Sequence, residues 1–220
     1  GTSANDTDLV QVGLAGNLRA IELRSQETGQ VVTGAEISYN GSPAGYAEDP
    51  DEVVTYVDAH DNETLFDTLT FKLPQDLPMA DRVRLNTLAL STTTLSQSIS
   101  FWHAGADLLR SKSLDRNSYN SGDWFNVLDF TKTDNGFGRG LPPAGDNQDK
   151  WEIMRPLLAD PALRPTPADI EQASAMAADL LRLRFSTELF RLGDPDLIEQ
   201  KVSFPVSGTA DGDPQVIVMR

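Results

Sequence analysis

The first two thirds of the chain alternate short apolar runs with segments of helical periodicity, and this alternation constrains the fold most. Residues 53–59 (VVTYVDA) and 99–102 are predicted strands. Residues 81–95 and 168–183 place apolar side chains at helical spacing and are predicted helices. Strands that alternate with helices are typical of an α/β fold, either a βα barrel or a doubly wound sheet.

The rest of the chain predicts three further features. Residues 62–72 can form a helix with acidic residues near its start. Residues 110–165, rich in glycine and proline, are predicted to be a long irregular segment, and a loop of that length inside a domain is usually functional. Residues 201–206 and 215–219 are predicted strands, which indicates a change to an all-β domain after the last helix.

Polar residues follow the first predicted strand directly, as His60-Asp61-Asn62. In βα barrels the active site lies at the carboxyl ends of the strands, so these side chains would face the barrel mouth. The alternative is that Asp61 or Asn62 caps the next helix. The second histidine, His103, follows the second strand at the same relative place, which makes a purely structural core role less favoured than it would be for a lone histidine.

Composition excludes several classes of function. The net charge of -15 and the pI of about 4.4 disfavour binding to nucleic acid or to an anionic membrane surface. The chain has no cysteine, so a disulfide, a thiolate metal site or a cysteine nucleophile is excluded within it. His60, Asp61, Glu63 and His103 are the candidate metal ligands, but without a zinc motif no catalytic metal site is predicted.

Three stretches carry a resemblance to a known family. These are VVTYVDAHDNETLFD, then SQSISFWHAGADLLRSKSLDRNSYNSGDWFNVLDF at 96–130, then NGFGRGLPPAGDNQDKW at 135–151. Together they resemble the type I pullulanases and limit dextrinases, the starch-debranching enzymes of the α-amylase superfamily of glycoside hydrolases. The resemblance extends over nearly the whole chain, and the SKSLDRNSYNSGDWFN loop is its most specific part.

The resemblance implies the C-terminal portion of a (β/α)8 TIM barrel followed by the first strands of an all-β sandwich. Residues 1–190 would hold the seventh and eighth barrel strands with their long loops, and residues 191–220 would begin the sandwich. The chain is thus expected to be a segment of a longer polypeptide. Two of eight barrel units expose strand edges, so the segment alone is expected to aggregate or stay partly unfolded.

The implied chemistry is retaining hydrolysis of α-1,6-glucosidic branch points in pullulan, amylopectin and limit dextrins. Retaining enzymes use a carboxylate nucleophile and a carboxylic general acid. The resemblance implies that these two groups lie in FRFD-like and GEGW-like segments, and neither segment occurs in this chain. By resemblance Asp61 is the third carboxylate, which stabilises the oxocarbenium-like transition state. His60 would donate to the same sugar ring, and Asn62 would contact the neighbouring glucose.

Further substrate contacts are expected from the loop after the eighth strand. Arg116 and Asn117 are the implied glucose-binding residues, although several relatives carry Asp at 117. Trp124 is a candidate stacking platform for a sugar face. Lys112 and Asp123 are interpreted as a structural ion pair.

Two other functions stay open from the sequence: a carbohydrate-binding or scaffold protein without catalysis, and an α-1,4-acting or branching enzyme of the same superfamily. No cofactor is expected to be required, while Ca²⁺ is compatible with oxygen-rich loops of this kind. The expected partners are an α-glucan substrate and the remainder of the polypeptide. Localisation is open between a secreted bacterial enzyme and a plastid one.

Overall fold

The computed structural model describes residues 3–220, and its packing divides them into two units. The first contains the described residues up to Thr55, with Thr92–Phe101 and Leu183–Arg220. The second contains Tyr56–Ser91 and Trp102–Arg182. Of the helices in these described residues, none combines the length and apolar character that crossing a bilayer requires.

The first unit is built from small strand pairs and two helices. Helix α1 covers Ser3–Leu14 and α8 covers Pro195–Lys201; the strands are β1 (Glu22–Arg24), β2 (Val31–Thr33), β3 (Ser38–Tyr39), β4 (Ser42–Pro43), β5 (Val54–Thr55) and β6 (Ile99–Ser100). The pairs β1–β2 and β3–β4 are antiparallel, whereas β5 and β6 are parallel, with Val54 opposite Ile99. A parallel pair needs a long crossover connection, which the alternation of elements predicted.

The first unit packs its apolar residues into one core. The buried side chains come from α1, the segment after it, and the C-terminal region: Val12, Leu14, Ala15, Leu18, Ile21, Leu23, Ile37, Ala44, Ile198, Val202 and Phe204. The prediction of strands at 201–206 and 215–219 is wrong. Helix α8 continues to Lys201. After it, the only strand-like contact in the described residues is a pair of backbone hydrogen bonds between Ser203 and Arg220, both 2.9 Å.

The second unit is mainly helical. Its helices are α2 (Leu65–Lys72), α3 (Met79–Thr94, up to Ser91 in this unit), α4 (Asp123–Asn126), α5 (Ala144–Asn147), α6 (Trp151–Ala159) and α7 (Pro167–Ser186, up to Arg182 in this unit). The predicted helices at 81–95 and 168–183 are confirmed within a few residues. Val83, Leu90, Ile170 and Ala173 are buried on them, but Leu181 and Leu183 are exposed.

The predicted irregular segment 110–165 is confirmed only in part, because α6 lies inside it. Pro156, which suggested a loop, sits on the exposed side of α6, where a carbonyl that loses its amide partner can bond to water. Met154 and Leu157 on the other side are buried and join a cluster with Phe66 and Phe137. The rings of Phe66 and Phe137 meet edge to face at 5.7 Å.

Candidate functional site

The segment that carries His60-Asp61-Asn62 is a loop, since strand β5 ends at Thr55 rather than at 59 as predicted. All three side chains are exposed, and Asn62 adopts a left-handed backbone conformation with φ of 62°. The cap hypothesis for Asp61 and Asn62 is wrong. The side chain of Thr64 caps α2 by accepting from the Asp67 amide at 3.2 Å, which leaves Asp61 and Asn62 available for another role.

A surface cavity of about 410 Å³ lies beside this loop. Its lining consists of His60, Asp61, Asn117, Ser118, Tyr119 and Asn126. The cavity therefore brings together three of the predicted site residues, His60, Asp61 and Asn117, although Asn117 lies 57 and 56 positions after the other two in the chain. The cavity is lined by residues with polar groups and bordered by the 89 % exposed Tyr119, so it suits a hydrophilic ligand.

The other predicted site residues do not line this cavity. Asn62 and Arg116 are exposed, and each is next in sequence to a residue that lines the cavity. The Arg116 amide donates to Asn147 Oδ1 at 2.9 Å. Trp124 is 63 % exposed and held by reciprocal bonds with Arg139: each side chain donates to the other's carbonyl at 2.8 Å. The Arg139 guanidinium also lies 5.3 Å from the Trp124 ring, so the indole is presented in one orientation.

His103 does not line the cavity but belongs to a partly buried chain of polar side chains. Its Nδ1 is 3.2 Å from Asp58 Oδ2, and its Nε2 is 3.3 Å from Nη1 of Arg110. Because a guanidinium only donates, Nε2 must accept, and the ring proton is on Nδ1, directed at Asp58. Asp58 Oδ2 also accepts from the Leu65 amide at 2.9 Å, so this chain ties the start of α2 to the segment after β6. His60 and His103 therefore lie in different surroundings, since His60 lines the cavity and His103 contacts Asp58 and Arg110.

Asp67 organises the loop that follows His103. It is fully buried, and its Oδ1 accepts from the Ser111 hydroxyl at 2.5 Å. Its Oδ2 accepts from the amides of Lys112 at 2.8 Å and Leu114 at 3.2 Å. Burial raises the pKa of Asp67 from 3.8 to about 6, although these hydrogen bonds oppose the increase.

Lys112 is almost fully buried and holds the loop at residues 60–62. Its Nζ donates to the carbonyls of His60 at 3.1 Å and Asn62 at 2.9 Å. The predicted ion pair with Asp123 is wrong, because the ammonium group is directed at these carbonyls, and the ion pairs of the described chain do not include it. Burial lowers the pKa of Lys112, while the charges of Asp115 and Asp67 counteract that effect.

Asp115 fixes the position of the segment that forms the far wall of the cavity. Its Oδ1 accepts from the Asn117 amide and from Asn147 Nδ2, both at 3.0 Å, and its Oδ2 accepts from Ser121 Oγ at 2.5 Å. The Asn117 side chain itself donates to Asp146 at 3.0 Å. Asn117 is thus held on the cavity wall by the loop's own hydrogen bonds.

The metal interpretation finds no geometric support within residues 3–220, where no group of three or more His, Asp or Glu side chains is placed to hold an ion. Two of the candidate ligands have other partners. Glu63 pairs with Lys150 at 2.9 Å, and His103 with Asp58. Burial opposes ionisation of Glu63, but the hydrogen bond and charge of Lys150 outweigh it, so the pKa of Glu63 is lowered.

Comparison with known proteins gives the same family as the sequence motifs. The family described as alpha-1,6-glucosidases, pullulanase-type, C-terminal, matches residues 132–220. Pullulanase 1, chloroplastic, from Arabidopsis thaliana is 46% identical over 96% of this chain and 22% of its own length. Pullulanase from Klebsiella pneumoniae is 41% identical over 92% of this chain and 18% of its own length.

A solved structure supports the match in three dimensions. The crystal structure of the maltotriose complex of PulA from Klebsiella pneumoniae has a TM-score of 0.93 and 39% identity, covering 98% of this chain and 23% of that one. Over nearly its whole length the chain is similar to pullulanases, and its residues 132–220 match the pullulanase-type C-terminal family. It spans only about a fifth of the length of the curated relatives that it matches.

Proposed function

We propose that the polypeptide containing this chain is a debranching glycosidase, which cleaves α-1,6-glucosidic bonds in pullulan, amylopectin and limit dextrins with retention. The chain supplies the transition-state-stabilising carboxylate, Asp61, together with substrate contacts. The nucleophile and the general acid are contributed by other parts of the polypeptide. The observation that carries this proposal is the cavity that places the exposed Asp61 between His60 and Asn117.

The chemistry of the site supports this role for Asp61. Its carboxylate is exposed and takes no hydrogen bond from the described residues, unlike Asp58, Asp67 and Asp115. A carboxylate held beside a sugar ring can stabilise the positive charge that develops at the anomeric centre, and such an interaction strengthens in the transition state. His60 offers a ring N–H to the same ligand, and Asn117 offers a side-chain amide.

The substrate surface extends beyond the cavity in this proposal. Asn62 and Arg116 are exposed next to cavity residues and contact neighbouring glucose units. Trp124, fixed by Arg139, stacks on a sugar face. A relative from Klebsiella pneumoniae was solved as a maltotriose complex, which supports an α-glucan as the ligand here.

The fold proposal follows the same reasoning. The parallel strands β5 and β6 are the seventh and eighth strands of a (β/α)8 barrel, with α3 between them in sequence and α7 as the eighth helix. The barrel part extends to about residue 190, and residues 191–220 begin a C-terminal β domain; this boundary stays a prediction. A Ca²⁺ site and the absence of a required cofactor also stay predictions.

The test is Asp61→Asn in the full-length polypeptide, assayed on pullulan by release of maltotriose. We expect kcat to fall by about 100-fold or more, because the amide lacks the negative charge that stabilises the positive charge developing in the transition state. The control is Asp76→Asn, an exposed acid on a different surface segment, which should keep kcat within about twofold, as expected of surface substitutions. Normal turnover by Asp61→Asn would refute the role.

The same assay separates the alternatives. A wild-type polypeptide that binds pullulan but releases no product would indicate a carbohydrate-binding protein without catalysis. Activity on amylose with none on pullulan would indicate an α-1,4-acting enzyme. Both outcomes contradict the debranching proposal, whereas maltotriose as the main product supports it.

A further inference from the structure

The carboxylate of Asp61 depends on the main chain for its orientation. No described residue donates a hydrogen bond to it, so its direction follows from the backbone at residues 60–62. That backbone is unusual because Asn62 has a φ of 62°, a region that residues other than glycine adopt at a cost in free energy. An interaction that stabilises this turn therefore decides where Asp61 points.

We propose that Lys112 is a positioning residue, which orients Asp61 by holding the two carbonyl groups on either side of it; this inference rests on the proposed function. Nζ of Lys112 donates to the His60 carbonyl at 3.1 Å and to the Asn62 carbonyl at 2.9 Å. Lys112 is only 1 % exposed, so water does not easily replace these hydrogen bonds. Lys112 bridges the turn through its main-chain carbonyls and leaves the Asp61 side chain free for a ligand.

The position of Lys112 is itself fixed by its own loop. Its amide donates to Asp67 Oδ2 at 2.8 Å, and Ser113 and Leu114 adopt left-handed conformations with φ of 55° and 66°. Leu114 is fully buried, and its amide also donates to Asp67. A lysine on a rigid buried loop is suited to define a turn that lies 50 residues earlier in the chain.

The same type of interaction occurs elsewhere in the second unit and provides a matched control. Arg82 is 3 % exposed and donates to the carbonyls of Leu77 at 3.2 Å and Pro74 at 2.5 Å. It therefore also holds a turn by two carbonyl groups, but that turn carries no proposed site residue. Loss of either cation removes two partly buried hydrogen bonds, and only loss of Lys112 should affect turnover.

The experiment compares Lys112→Met and Arg82→Met in the full-length polypeptide acting on pullulan. We expect Lys112→Met to lower kcat by about 10- to 100-fold with KM within about threefold, since misplacement of a group needed in the transition state reduces kcat. Arg82→Met should lower the thermal midpoint similarly while keeping kcat within about twofold. Lys112→Arg, which keeps the charge and the donors, should recover part of kcat.

A double-mutant cycle with Asp61→Asn tests whether Lys112 acts through Asp61. If it does, Lys112→Met should lower kcat by less than about threefold in the Asp61→Asn background, because the oriented group is already absent. Equal losses of kcat in both backgrounds, a silent Lys112→Met, or an equal loss in Arg82→Met would each overturn the inference and leave the role of Asp61 intact. A fully active Asp61→Asn would instead overturn the proposed function, and the inference with it.

Discussion

Asp67 makes the stability of the site loops depend on pH in an unusual direction. Its pKa is about 6 in the folded protein against an ordinary value of 3.8, because burial penalises the charged form. The folded state therefore binds more protons than the unfolded state between pH 3.8 and about 6. The free energy of unfolding falls as the pH rises through this window, whereas stabilised carboxylates give the opposite trend.

The size of the effect follows from the difference between the two pKa values, which is about two pH units. At 1.36 kcal/mol per unit, ionised Asp67 costs the folded state about 3 kcal/mol above pH 6, to order of magnitude. Asp67→Asn imitates the protonated acid. The new amide donates to the Ser111 hydroxyl, and the remaining oxygen accepts from the Lys112 and Leu114 amides, as Oδ2 does now.

The assay is thermal unfolding of the full-length polypeptide by calorimetry from pH 4 to 7.5, with Asp76→Asn as the exposed control. At pH 4 Asp67→Asn should match the wild type, and at pH 7 it should be more stable by up to about 3 kcal/mol. Stability curves of wild type and Asp67→Asn that stay parallel across this range would refute the reasoning. So would a variant that is less stable at pH 7, since the hydrogen bonds would then outweigh the desolvation.

Two further predictions follow from residues of the second unit. Trp124→Ala should raise KM for pullulan several-fold with little change in kcat, because a stacking surface binds ground and transition states alike; unchanged steady-state kinetics would contradict this. Phe137→Ala should lower the free energy of unfolding by about 3–5 kcal/mol, because the Phe137 ring is 1 % exposed and packs against Phe66. Phe130→Ala, at a site that is 75 % exposed, should change the free energy of unfolding by less than about 0.5 kcal/mol. Equal effects of the two substitutions in urea unfolding would refute this prediction.

Periodicity in the sequence predicted the long helices well but overextended the strands. Helices α3 and α7 begin and end within three residues of the predictions, because their buried positions repeat at helical spacing. The run at 53–59 suggested a long strand, yet only Val54 and Thr55 pair, and Tyr56 is 58 % exposed. Apolar, β-branched composition alone does not supply a hydrogen-bonding partner, which is a property of the tertiary fold.

The C-terminal prediction failed although a local signal was present. Asp194 followed by Pro195 is typical of a helix start, and the structure shows Asp194 accepting from the Leu197 amide at 3.0 Å. The apolar residues Val202 and Phe204 were interpreted as a strand, but they are buried in the core that also contains Ile198. The helix-start signal was thus more informative than the alternation.

The exposed residues of the proposed site stood out in the sequence, and the buried residues that support them did not. Asp61 and His60 were proposed because polar residues follow a predicted strand, while Asp58, Asp67 and Lys112 act through partners 45 to 52 residues away. One-dimensional spacing carries no information about such contacts. The charged and small polar residues of SKSLDR were the available signal. They indicated a functional loop but not which residues it contacts.

The distribution of hydrogen bonds among the acids explains how the loop builds a binding surface. Asp67 and Asp115 are each fully buried, and each accepts bonds from amides and hydroxyl groups of residues 111–121. The hydrogen bonds of the ordered loop therefore offset part of the cost of burying these two acidic side chains. Asp61 is the contrasting case, because the fold leaves its carboxylate exposed with no bond from the described chain. A ligand that supplies donors to Asp61 completes a polar arrangement that the loop has already fixed.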